Sequence, residues 1–319
     1  MDVRDAQGRR RDQPRQRRRN PWTARLLAVA ALAAAAGVAV AIVLSTTGGG
    51  TSHRHKTASG HGSTSARART PTAQTTGAPG TASVPILAYN VINAVPASSG
   101  ASPDLYVPTD EFSAQMDALK AGGWHAVTLN QLQAYWTHGT SLGPGKPIVI
   151  SFDGGYASQF VNALPVLKRL GWTGVVNVDT NGRSPADGGL SDSQIHGLIT
   201  AGWELDAASG SQTDLTGLSD AAARQQITSD RQALQSRYGV PVNWFSYASG
   251  RYNLIVTTAV RAAGFVGATT LEAGWASPKE DRFLLPRLRV VGGTSPSTLT
   301  SQISSAQGNA APPSSSTGV

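Results

Sequence analysis

The sequence predicts an α/β protein with a largely parallel sheet, closed as a (β/α) barrel rather than left open. Three observations carry this. Short β-branched apolar runs alternate with amphipathic helical patterns about seven times between residues 83 and 306. The strongest run, Pro147–Phe152, is apolar throughout, as a strand buried on both faces must be. Some 220 residues in one such unit favour a barrel.

The elements follow in order. Val84–Ala88 is a short apolar strand. Thr109 and Asp110 cap a helix carrying Phe112, Met116 and Leu119, which stops at Gly122-Gly123. A strand is expected at Ala126–Leu129 and a short helix from there to about Trp136. After Pro147–Phe152, Phe160, Leu164, Leu167 and Leu170 share a helix face, with Gly171 as its stop. Thr173–Val178 is the next strand, Ser191–Ala201 a helix and Trp203–Ala207 a strand. Ser219–Tyr238 is a long helix with Ala223, Ile227, Leu234 and Tyr238 inward, ended by Gly239 and Pro241. Strand Val242–Tyr247, helix Asn253–Ala263 and strands Phe265–Ala268 and Leu288–Val291 complete the unit.

Outside it the pattern is different. Residues 1–25 hold nine Arg and three Asp (+6), residues 26–82 four basic residues and no acid (+4), and residues 83–319 sum to −2. The overall charge of +8 therefore belongs to the first quarter of the chain. Leu26–Leu44 is an uninterrupted apolar run of 19 residues. As a helix it would span roughly 30 Å, the thickness of a bilayer core. The Arg cluster on one side places the N-terminus in the cytoplasm and the rest outside. Ala39-Val40-Ala41 resembles a signal-peptide cleavage site, so a cleaved leader is the rival reading; both export the domain. Beside a membrane span the Arg run reports orientation and anionic lipid, and no nucleic-acid partner is expected. Residues 45–82, rich in Ser, Thr, Gly and Pro, read as a flexible tether with a reach of roughly 35 Å. Residues 307–319 read as a disordered tail. The chain has no Cys, which excludes disulfides, thiolate metal sites and a Cys nucleophile.

Chemistry in such a barrel sits at the C-terminal ends of its strands. One strand ends in Asp153-Gly154-Gly155, where Asp153 either faces a cleft or starts the turn into the next helix. Glu204 and Asp206 alternate along another strand, facing a cleft or, more in keeping with their type, solvent or a salt-bridge partner. There is no G-x-S-x-G elbow, no G-x-G-x-x-G after a strand and no G-K-[ST], which disfavours serine-hydrolase, Rossmann and P-loop chemistry.

Val84-Pro85-Ile86-Leu87-Ala88-Tyr89-Asn90, Phe112-Ser113-Ala114-Gln115-Met116, Lys146–Tyr156 and Leu284–Val290 together resemble, in matching order, the polysaccharide deacetylases with a NodB homology domain. The likeness spans about residues 84–305. It implies a distorted (β/α) barrel of about seven strands that removes acetyl groups from glycans outside the cytoplasm. It also implies a divalent cation, usually zinc, held by one Asp and two His, with another Asp as base and a late His as acid.

This chain departs from that pattern. The T-F-D-D-G motif reads Ser151-Phe152-Asp153-Gly154-Gly155, which keeps the base position as Asp153 and puts Gly154 at the ligand position. The H-[ST]-x-x-H positions carry Ala208 and Gln212. No His follows His196, so the late acid is missing, and His125, His138 and His196 match no motif. Zinc prefers His, Cys or carboxylate ligands. The resemblance thus implies a degenerate member binding cell-envelope glycan, with no cofactor expected. Two alternatives remain: a deacetylase with Asp153 as base and zinc or another divalent cation held differently, and a structural partner-binding domain. Arg287 resembles a family Arg that neighbours the base. Tyr89, Asn90, Tyr247, Tyr252 and Trp275, near expected strand ends, are the candidate glycan contacts.

Overall fold

The computed structural model describes residues 77–96, 102–180, 182–184, 188–209 and 214–307. The apolar run 26–44, most of the tether, the tail after Gln307 and Gln212 lie outside them. Among the described residues no helix is long and apolar enough to cross a membrane.

The strands are β1 (Val84–Tyr89), β2 (Val91–Ile92), β3 (Tyr106–Val107), β4 (Trp124–Ala126), β5 (Lys146–Asp153), β6 (Val175–Val178), β7 (Glu204–Ala208), β8 (Trp244–Ser246), β9 (Gly267–Thr269), β10 (Trp275–Ala276) and β11 (Leu288–Arg289). The helices are α1 (Thr109–Ala121), α2 (Leu129–His138), α3 (Leu164–Arg169), α4 (Asp192–Thr200), α5 (Asp220–Tyr238), α6 (Leu254–Ala262) and α7 (Pro296–Ala306). The main sheet runs β10-β1-β5-β6-β7-β8-β9, parallel from β1 to β9 with β10 antiparallel at its edge. It is an α/β fold whose seven strands curl into a half-barrel. Residues 282–290 bridge the seam between its ends. Leu285 N–H donates to the Ala268 carbonyl beside β9, and Val290 N–H donates to the Ala88 carbonyl of β1.

The side-chain alternation of strands gives two cores. Leu87, Tyr89, Ile150, Phe152, Val176, Leu205 and Phe245 face outward under the helices. Val84, Ile86, Val149, Val175 and Trp244 face inward, and Leu129, Leu132 and Trp136 of α2 plug that end. The other end, where the parallel strands finish, stays open.

Several expectations shift. A strand was expected at Ala126–Leu129, but the strand ends at Ala126. The Thr128 side chain accepts from Gln131 N–H in a capping box, so Leu129 already begins α2. The N-cap of α1 is Pro108, with Thr109 its first helical residue. A π-turn over Gln159–Ala163 precedes α3 and rotates the expected face, so Gln159, Ala163, Val166 and Leu167 are buried while Phe160, Leu164 and Leu170 are half-buried. The last residues assigned to the tether are docked. Gly80 N–H donates to the Tyr135 carbonyl, Trp136 Nε1 donates to the Ala82 carbonyl, and a Cβ at Gly80 would lie 2.2 Å from the Tyr135 ring. Strands β2, β3 and β10 and helix α7, too short or too polar to stand out in sequence, were not expected.

Candidate functional site

Asp153 ends β5 on the inward face, at the open end of the barrel. The register puts Asn177 of β6 opposite it, and Ala208 of β7 opposite Ser246 of β8. Arg287 enters from the seam segment and is fully buried. Its Nη1 donates to Asp153 Oδ1 at 2.9 Å and its Nη2 to Oδ2 at 2.8 Å. Asn177 Nδ2 and Ser246 Oγ also donate to Oδ1, at 2.8 and 3.3 Å. The guanidinium is further held by the Thr270 carbonyl and the Ser151 and Ser246 hydroxyls. Such a forked pair spends its donors on one carboxylate. Asp153, with its side chain 15% exposed, is thus built into the groove floor with a charge partner for each oxygen. The expected Asp153–Arg287 pair is present.

Above this floor lies a cavity of about 600 Å³, lined among others by Asn90, Tyr156, Asp179, Arg183, Ser249 and Arg289. Its size falls within the usual range for small-molecule sites, roughly 300–1,000 Å³. Ser249 on its rim has φ +52°, the one non-glycine positive φ among the described residues.

The expected metal positions do not fit a metal. Gly154 has φ +86°, a region that disfavours side chains. A Cβ there would lie 2.6 Å from Cε2 of Tyr156, so the tyrosine ring fills the space a ligand side chain would need. Ala208 presents a buried methyl to the groove. Gln212 lies outside the described residues. Among the described residues no three His, Asp or Glu side chains converge. Of the histidines, His125 Nε2 meets the Leu142 carbonyl at 2.7 Å and His196 packs on Tyr238, both away from the groove.

The proposed glycan contacts divide sharply. Asn90 lines the cavity. Tyr89 and Tyr247 do not, because their strand parity points them outward into the helix layer, where both are fully buried. Tyr89 donates to Gln115 and Tyr247 to the Phe283 carbonyl, and burial raises both phenols well above their usual range. Tyr252 stacks on Tyr247 and donates to Glu272, and partial burial with that bond pushes its phenol up to about 12. Trp275 sits at the closed end, donating to the Ile303 carbonyl and packing edge-on against Trp124. Asn177, Ser246, Tyr156 and Arg289 were missed. Strand register brings in the first two, a signal that exists only once the strands are paired.

Glu204 and Asp206 prove to be inside the barrel rather than solvated. Glu204 accepts from Asn130 N–H, and Asp206 from the N–H groups of Asn243 and Trp244. The Glu204 and Asp206 side chains also interact with each other, and Glu204 with the Thr128 side chain. Burial, then the neighbouring Asp206 charge, holds the Glu204 carboxyl well above its usual range.

Residues 141–268 match the family model for polysaccharide deacetylase. A Bacillus subtilis (strain 168) protein named "Putative polysaccharide deacetylase YxkH" is 28% identical over 225 residues, covering 70% of this chain and 77% of that protein. Among solved structures, the Streptococcus pyogenes deacetylase PplD in complex with acetate superposes with a TM-score of 0.64 at 21% identity, over 70% of this chain and 99% of that one. BC0361, a polysaccharide deacetylase from Bacillus cereus, gives 0.59 at 23%, over 70% and 69%. The sequence match over residues 141–268 is to the polysaccharide deacetylase model, and the half-barrel with its strand-end groove is similar in fold to these deacetylase structures.

Proposed function

We propose that this protein is a membrane-tethered, extracytoplasmic glycan-binding member of the deacetylase family that no longer performs the metal-dependent reaction. One observation carries the reading. Beside the base-position carboxylate of Asp153, positions 154 and 208 are glycine and alanine and supply no side-chain donor atom. Zinc needs ligands that glycine and alanine cannot provide. What the groove retains is hydrogen-bonding chemistry suited to sugars, from Asn90, Ser249 and Arg289 around the Tyr156 ring.

One observation favours retained hydrolysis: Asp153 is still 15% exposed at the groove floor. The full-length chain, purified in detergent, separates these readings with chitotetraose as ligand and added zinc. Binding without acetate release, and no stoichiometric zinc, is the expected result. Acetate release that Asp153→Asn abolishes would establish the enzyme. Absence of any saccharide binding would favour a partner-binding domain.

A further inference from the structure

We propose that the groove selects acidic glycans, with the Tyr156 ring as the stacking surface for a sugar and Arg289 as the anchor for its carboxylate or phosphate. This rests on the glycan-binding reading above.

The tyrosine is placed by the same change that removed the ligand side chain. With no Cβ at Gly154, the Tyr156 ring lies across that position on the cavity wall. Its backbone is fixed by an antiparallel bridge to Gly189. Arg183 braces the ring, its guanidinium carbon 4.7 Å from the ring centroid and its Nη2 donating to the phenol at 3.4 Å. A half-buried ring braced in this way offers apolar surface at little entropic cost to the apolar face of a sugar.

Charge supplies the second half. Asp153 is neutralised by Arg287, and the other charged residues lining the groove among those described are Asp179, Arg183 and Arg289. Arg289 is left over. It ends β11 beside β1, paired with Ala88 and so next to Asn90. It is exposed and lines the cavity, and among the described residues its side chain joins no ion pair or hydrogen bond. With buried Arg287 counted beside Asp153, the described groove holds one more guanidinium than carboxylates, on a domain segment whose charge is −2. A guanidinium with its fork unused, in a recess, is matched in shape to carboxylate and phosphate oxygens.

The test uses the full-length chain in detergent and three probes: chitotetraose (neutral), hyaluronan tetrasaccharide (carboxylate) and poly(glycerol phosphate) bearing N-acetylglucosamine (phosphate). At least one acidic probe should bind about tenfold tighter than chitotetraose, and the tighter one identifies the anion. Arg289→Gln should bring that ratio to about one, while Lys168→Gln, on the exposed side of α3, should leave it unchanged. Tyr156→Leu, which keeps bulk but removes the ring, should weaken all binding. If the ratio is near one in the parent, or survives Arg289→Gln, acidic selection is wrong while chitotetraose binding keeps the glycan reading intact. If no probe binds, both fall.

Discussion

Asp153 and Arg287 are the residues on which the site turns. Arg287 has no solvent exposure and every donor it aims at the floor is used. Removing one member of such a pair strands the other charge without its partner, which costs about 3 kcal/mol or more. Arg287→Met should therefore lower stability by about that amount, read as a fall in the urea midpoint at unchanged m. A loss below about 1 kcal/mol would show the pair to be incidental. At Gly154 the positive φ alone costs a side chain about 1–2 kcal/mol, and the Tyr156 ring must also move. Gly154→Asp should destabilise the domain without creating a zinc site, measured by urea unfolding and metal content; a stoichiometric zinc would refute this. Asp153 was legible in sequence because a carboxylate before two glycines marks a strand end. Asn177 and Ser246 were not, since each is an ordinary polar residue until strand pairing sets it beside Asp153.

Among the elements, β7 shows how alternation distributes chemistry. Leu205 and Ala207 face the helices, while Glu204, Asp206 and Ala208 face the barrel interior. The sequence displayed the alternation but not which side was wet, so the two acids passed for solvated groups. Their burial has a pH signature. The folded carboxyl of Glu204 titrates well above its ordinary range, because burial and Asp206 disfavour its charge. Between the unfolded value, about 4.3, and that raised value, the native state holds more protons than the unfolded one. Stability then falls as pH rises, by up to about 1.4 kcal/mol per pH unit. Glu204→Gln keeps a donor toward Asp206 and removes the titration. Urea unfolding at pH 5 and pH 8 should show a flatter profile and a more stable protein at pH 8. An unchanged slope would mean that Glu204 ionises freely. Segment 159–170 teaches a related lesson: apolar spacing predicted a helix correctly, but one π-turn changed which residues it buries.

For the whole molecule, the charge pattern is what motivates the proposed membrane tether. The positive excess lies before residue 83, next to an apolar run of membrane-spanning length. The expected outcome is that the full chain sediments with membranes, resists extraction by high salt and comes free in detergent; recovery in the salt wash would argue for a cleaved or peripheral protein. Local pattern was enough for the order of strands and helices, the parallel sheet, the strand-end position of Asp153 and the residue types at the family's ligand positions. These depend on neighbours in sequence, which apolar period and turn residues record directly. Only the folded chain decided which aromatic residues reach the groove, that Glu204 and Asp206 share a buried site, that Tyr156 covers Gly154 and that the Arg289 side chain has no ion-pair partner among the described residues. Each of these depends on strand parity and register across dozens of residues. A shift of one position along a strand turns a side chain from the barrel interior to the helix layer.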